Sequence, residues 1–235
     1  MEIIMHKVGI IGGIGPASTL DYYKDIVQGY REIIQRDEYP EIVIESVNMT
    51  MMLNFFGEKD WDGLTAFLLQ SVNNLKAAGA TFAAIASNTP HIVFSKLKEV
   101  SPLPLLSIVE ATCDYAKSIG CKKVLILGTK FTMCNGLYTT IFPSYGIEAF
   151  VPEVADIEAV HNIIFPDLEN GLVIPEDKEK MLSIASKIIK EQNADGLVLG
   201  CTELPLMIKD EDLPTNILNT TKIHVAAILK YMTQE

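Results

Sequence analysis

The sequence predicts an α/β protein made of two similar halves, each with its own parallel sheet, and three observations carry that expectation. Short Val, Ile and Leu runs alternate with stretches of helical period along the 235 residues, which is the pattern of βαβ units. Ser101-Pro102-Leu103-Pro104 punctuates the chain near its middle, and the alternation then starts again. Two motifs also recur at nearly one offset. Lys7-Val8-Gly9-Ile10-Ile11-Gly12-Gly13 is echoed by Lys123-Val124-Leu125-Ile126-Leu127-Gly128-Thr129, and Ile85-Ala86-Ser87-Asn88-Thr89 by Leu199-Gly200-Cys201-Thr202, so that Ser87 aligns with Cys201.

Taken in order, Lys7 to Gly13 reads as a buried parallel strand ending in glycines. Pro16 then opens an amphipathic helix that runs to about Gln35. Glu41 to Val47 is a second strand, Trp61 to Ala78 a helix stopped by Gly79, and Phe82 to Ala86 a third strand. That strand breaks at Ser87-Asn88-Thr89-Pro90, before a helix from about His91 to Glu99. The second half reads as a helix from about Val109 to Ile119, a strand from Lys123 to Leu127 and a short strand near Ile147 to Val151. Helices around Ile157 to Leu168 and Glu176 to Gln192 follow, then the strand at Leu197 and a last one at Asn216-Ile217-Leu218. The expected first half is 1–103, completed by a terminal helix over about 219–235, and the second half is 104–218. If the halves face each other across a pseudo-twofold, Ser87 and Cys201 approach one cleft from opposite sides.

Composition narrows the partners. Apolar residues make up 49% and charged residues 21%, as in an ordinary soluble domain, and the net charge of -11 repels phosphate backbones, so nucleic acid is not an expected partner. The opening Met1-Glu2-Ile3-Ile4-Met5-His6-Lys7 lacks the basic flank and cleavage site of a leader, and no apolar run reaches the length of a membrane span. A cytoplasmic location without membrane association is the expectation. The four cysteines show no metal or disulfide spacing, and the four histidines form no ligand pair, so no metal site is expected.

Candidate site residues cluster at strand ends. Cys201 follows an apolar strand and precedes a stretch able to open a helix, where it is either a small buried hydrophobe or a thiol that a helix N-terminus is expected to favour as thiolate. Glu203 lies two residues on, either tuning that thiol or simply complementing a helix dipole. Ser87, Asn88, Thr89, Thr129 and Thr202 bring hydroxyl and amide donors suited to a carboxylate, or serve as helix caps. Gly13 lets the backbone approach a small anion at a helix N-terminus, and Asn48 is a candidate wall. The turn Gly12-Gly13-Ile14-Gly15-Pro16-Ala17-Ser18 is not the dinucleotide fingerprint, and no acid follows the second strand to hold a ribose. His91 and His224 read as polar core or cap residues.

The glycine-rich first turn, Ala86-Ser87-Asn88-Thr89-Pro90-His91, Leu127-Gly128-Thr129 and Leu199-Gly200-Cys201-Thr202-Glu203 together resemble the aspartate/glutamate racemase family over nearly the whole chain. The resemblance implies two Rossmann-like halves, a homodimer, and an isomerase that needs neither pyridoxal phosphate nor any other cofactor. Two cysteines would work on opposite faces of the substrate α-carbon, one removing a proton as the other donates one. Cys201 matches the second of them, whereas Ser87 stands where the family carries the first. A serine hydroxyl is a far weaker acid than a thiol, so the expectation is a racemase of an acidic amino acid that is one-sided or slow. A lysine that some aspartate racemases carry ahead of the second cysteine is missing, with Gly171-Leu172-Val173-Ile174 at about that place. Two alternatives use the same fold: a single-cysteine decarboxylase of the arylmalonate type, and a non-catalytic binder of an amino acid or dicarboxylate.

Overall fold

Val8 to Gly12 form β1 (Val8–Gly12), a strand buried along its whole length. Its side chains alternate between two cores: Val8 and Ile10 face one, Ile11 the other. The structure, a computed structural model, describes residues 6–233; the opening segment Met1 to Met5 and the last two residues lie outside the described part, and so does the sequence-based reading of the N-terminal leader region there.

The chain divides into two units, one comprising the residues up to Ile108 together with those from His224, the other Val109–Ile223. In the first unit, β1 leads through a glycine turn into α1 (Pro16–Ile34), whose first position is proline and whose buried residues Ser18, Thr19, Tyr22, Ile26 and Tyr30 follow helical spacing. β2 (Ile42–Ser46), α2 (Met49–Glu58), α3 (Trp61–Ala77) and β3 (Phe82–Ile85) come next. A 3-10 turn (Thr89–Val93), α4 (Phe94–Val100) and β4 (Leu105–Leu106) complete the series. All strands are parallel, in the order β2-β1-β3-β4.

The second unit runs α5 (Ile108–Ser118), β5 (Lys123–Leu127), α6 (Lys130–Cys134), β6 (Glu148–Phe150), α7 (Val154–Ile164), α8 (Pro175–Gln192), β7 (Gly196–Leu199), α9 (Leu204–Met207) and β8 (Asn216–Asn219). Its parallel sheet has the order β6-β5-β7-β8, the same internal pattern as the first. α10 (Thr220–Met232) then supplies Val225, Ile228, Leu229 and Met232 to the first unit's core beside Val8, Ile10, Tyr22 and Ile26.

Several elements differ from the sequence-based expectation, among them α6, a short helix that it did not place. The proline-flanked turn at 101–104 does not leave the first sheet: β4 follows it and pairs with β3, because Leu105 and Leu106 extend the strand order by one edge. α2 is a helix that the sequence reading did not place, although Thr50, Asn54 and Glu58 recur along it at a four-residue, helical spacing. The segment from Thr89 begins as a 3-10 turn before α4, rather than as one helix from His91. Among the described residues no helix is long and apolar enough to cross a membrane.

Candidate functional site

The place of Cys201 is set by glycines. Gly200 donates its N–H to Leu127 O at 2.6 Å, and a Cβ on Gly128 would lie 3.0 Å from Gly200 O, so the ends of β5 and β7 close on each other only because neither residue has a side chain. Thr220 Oγ1 donates to Leu199 O at 2.8 Å, satisfying the carbonyl at the end of β7. The chain then turns and brings Glu203 back onto the cysteine. Cys201 Sγ donates to Glu203 Oε2 at 3.0 Å, and Thr202 Oγ1 donates to the same oxygen at 2.8 Å. Thiol and hydroxyl thus converge on one carboxyl oxygen of Glu203, which accepts from both. Thiol and carboxylate are each 8% exposed.

This arrangement reverses the expected thiol chemistry. Burial pushes the Cys201 thiol well above the ordinary cysteine range, and the Glu203 charge and its hydrogen bond from the thiol push it further the same way. The expectation that a helix N-terminus favours thiolate is therefore corrected: α9 is a single turn of four residues, too short for a useful dipole, and the nearest charge is negative. Glu203 does not simply complement a helix; its carboxylate is spent on Cys201 and Thr202. Glu169, which sequence reasoning missed, belongs to the same neighbourhood. Leu168 beside it packs in the same core as Cys201, and the Glu169 carboxyl is raised by burial and then by Glu203.

In the first unit, Ser87 sits two residues past the end of β3, as Cys201 sits two residues past the end of β7, and the two strands hold the same position in their sheets. Ser87 and Thr89 are half-buried and Asn88 is buried. Asn88 O accepts the His91 N–H at 3.0 Å, which folds Ser87 to His91 into a tight turn. His91 and His224 are buried core residues, as expected: Nε2 of His91 accepts the Ile108 N–H at 3.3 Å, and His224 bonds Tyr22 Oη and Leu106 O.

Several predicted contact residues are already occupied by the fold. Gly13 has φ +80, and its N–H donates to Thr19 Oγ1 at 2.9 Å, so that amide is not open to an anion. Asn48 is exposed and caps α2 by accepting from Met51 N, while Thr129 caps α6 by accepting from Thr132 N. The cap reading holds for Thr129, and Asn48, expected as a wall, is a cap as well. A Cβ on Gly13 would lie 2.6 Å from Val47 O in a backbone region that L-residues rarely adopt. Gly13→Ala is accordingly expected to cost about 2 kcal/mol or more of unfolding free energy, read as a lowered urea midpoint. Among the described residues no group of three or more His, Cys, Asp or Glu side chains could hold a metal ion.

Comparison with known proteins bears on this geometry. The sequence profile described as Asp/Glu/Hydantoin racemase matches residues 11–228. Glutamate racemase 3 of Caldanaerobacter subterraneus subsp. tengcongensis is 31% identical over 155 residues, 65% of this chain and 54% of that protein. The chain spans about half to two thirds of the length of the first curated relatives it matches. Among solved structures, an aspartate racemase homologue from Pyrococcus horikoshii OT3 superposes with a TM-score of 0.87 at 35% identity, covering 98% of this chain and 100% of that one. Picrophilus torridus aspartate racemase shares the fold, with a TM-score of 0.73 at 23% identity over 97% of this chain and 95% of that one.

Proposed function

Because the chain belongs to the Asp/Glu/hydantoin racemase family, whose profile spans residues 11–228, we propose that it exchanges the α-proton of an amino acid through Cys201. The observation that supports this reading is the hydrogen bond from the Cys201 thiol to Glu203. A thiol held well above its usual pKa supplies no resting thiolate, but it has an acceptor for its proton at 3.0 Å. Cys201 Sγ takes the α-proton as its own proton passes to Glu203, and the Cα–H electron pair moves into the substrate carboxylate to give an enediolate. The reverse transfer restores the starting enantiomer, with a solvent hydrogen at Cα if exchange has intervened. Delivery from the other face, by the Ser87 hydroxyl, gives the opposite enantiomer. Asn88 and Thr89 are proposed to hold the substrate carboxylate, whose growing charge their donors stabilise; the Thr202 hydroxyl, expected to join them, already gives its hydrogen to Glu203.

Ser87 is the weaker partner, since its hydroxyl offers no ready anion at neutral pH. Exchange is therefore expected to outpace inversion, and to be faster from one enantiomer than from the other. Proton NMR in deuterated water, following the α-hydrogen of each enantiomer, is the test. The expected result is loss of the α-signal from one enantiomer with slow appearance of the other, and Ser87→Cys is expected to raise inversion by roughly 100-fold. Absence of exchange from every amino acid in a broad panel overturns the reading.

A further inference from the structure

We propose that Tyr138 is a positioning residue for the Cys201 thiol: its hydroxyl, acting through Thr220, fixes the Leu199–Gly200 peptide and so aims Cys201 at Glu203. This rests on the proton transfer proposed at Cys201, and it names what holds the thiol in place for that transfer. Both polar groups of the one peptide are tied. Its carbonyl, Leu199 O, accepts from Thr220 Oγ1 at 2.8 Å, and its N–H, on Gly200, donates to Leu127 O at 2.6 Å. A planar peptide held on both sides cannot rotate without breaking a bond, so the direction in which the chain enters Cys201 is set there. Sγ then meets Glu203 Oε2 at 3.0 Å.

Tyr138 lies on the turn after α6, 1% exposed, and reaches this peptide in two ways. Its ring edge closes over Gly200: a Cβ there would lie 3.6 Å from Tyr138 Cε2, 3.1 Å from Thr132 Cγ2 and 3.0 Å from Leu127 O. Its hydroxyl bonds the side chains of Thr112 on α5 and Thr220 at the start of α10, both buried. Donor accounting orders the chain. Thr220 has one hydrogen and spends it on Leu199 O, so it accepts the Tyr138 hydrogen, and Tyr138 Oη in turn accepts from Thr112. Three hydroxyls aligned in one sense polarise one another and end on the carbonyl two residues before the thiol. All of these residues belong to one unit, Val109–Ile223. Phenylalanine would fill the same space against Gly200 without the cost of burying a hydroxyl, so it is the oxygen, not the ring, that carries the assignment.

The experiment compares Tyr138→Phe, Thr220→Val, Thr220→Ser and the double variant Tyr138→Phe/Thr220→Val, all in a Cys134→Ser parent. Two readouts are taken: α-hydrogen exchange of aspartate and glutamate in deuterated water, and iodoacetamide labelling of Cys201 followed by peptide mass. Tyr138→Phe is expected to lower kcat roughly 10-fold with KM within about 2-fold, and Thr220→Val, which breaks the chain at its other end, to do the same. The double variant should fall no more than about 2-fold below either single one, because both break one chain. Thr220→Ser, which restores the hydroxyl, should regain most of the rate lost in Thr220→Val. Labelling of Cys201 should quicken about 10-fold in both single variants as the thiol comes away from Glu203. Folded Tyr138→Phe and Thr220→Val that exchange and label like the parent, with only a lower unfolding temperature, overturn the inference. Losses that multiply in the double variant overturn it too. No exchange of either amino acid by the parent counts against the proton transfer, and labelling then decides alone: quicker labelling in both variants supports the positioning role, and unchanged labelling overturns it.

Discussion

Cys201→Ala is expected to abolish α-hydrogen exchange, and Glu203→Gln to reduce it by roughly 100-fold or more while making the thiol easier to alkylate. The second half of that result is the informative one. In the folded protein Glu203 raises the Cys201 thiol both through its charge and by accepting its proton. The amide introduced by Glu203→Gln would remove the charge, so the thiol pKa falls and the thiolate fraction at neutral pH rises. If Glu203 acted only by suppressing thiolate, exchange would speed up in the variant. If Glu203 receives the proton as Sγ takes one from carbon, exchange slows although thiolate is more abundant. The measurement is iodoacetamide labelling against pH beside the exchange rate, in a Cys134→Ser background because Cys134 is the exposed thiol. Cys113, buried and pushed up to about 12, and Cys121, also buried, contribute little labelling. Faster exchange in Glu203→Gln would sink the relay.

The repeated strand ends were legible because their causes are local. β1, β3, β5 and β7 are unbroken apolar runs stopped by glycine or a small polar residue, and the alignment of Ser87 with Cys201 corresponds to equivalent places in two sheets of one strand order. The electrostatics of the thiol were not legible. Sequence puts Glu203 two residues from Cys201, but whether the carboxylate meets the sulfur depends on a turn whose geometry the Gly128 and Gly200 backbones impose. The sign of the thiol's shift then follows from burial, which no window of sequence measures. Glu169 lies far along the chain on a short 3-10 turn, and only the packing of Leu168 brings it near. Asn48 shows the converse error: its side chain at a strand end reads as a ligand contact, and its neighbour three residues on takes it as a cap. The pairing of Tyr22 with His224 joins two ends of the chain, and nothing in either segment announces it.

Acidification from pH 6.5 to pH 5 is expected to destabilise the first unit by about 2 kcal/mol for each of two buried histidines. His224 Nε2 faces Leu106 O at 3.2 Å, and a carbonyl only accepts, so Nε2 carries the hydrogen and Nδ1 accepts from Tyr22 Oη at 2.8 Å. His91 has the opposite tautomer, because the Ile108 N–H donates to its Nε2. Its buried Nδ1 makes no aligned hydrogen bond, although the Ser87 and Asn88 carbonyls nearby slightly favour a charge there. Burial dominates both rings, holding His91 near 4 and His224 near 3, the latter opposed also by His91, whose ring stands 6.3 Å away. Protonating His91 would also set an N–H against the Ile108 N–H. Since both folded values lie below the unfolded value of about 6.5, the unfolded chain takes up protons first. The stability is fully present above pH 6.5, falls as the pH drops toward 4 and then 3, and changes no further from this source below that. Most carboxylates remain ionised down to pH 5, so the upper window belongs to the histidines. Trp61, the single tryptophan, opens α3 in the first unit and packs against Phe56, so its fluorescence follows unfolding of this unit. Urea titrations at half-unit steps should give a free energy falling by about 2.7 kcal/mol per pH unit near pH 5, the slope for two protons. His91→Gln keeps an acceptor for the Ile108 N–H but cannot titrate, and should halve that slope. An unfolding free energy flat between pH 7 and 5, or an equal slope in His91→Gln, would show that the two rings do not carry the acid sensitivity.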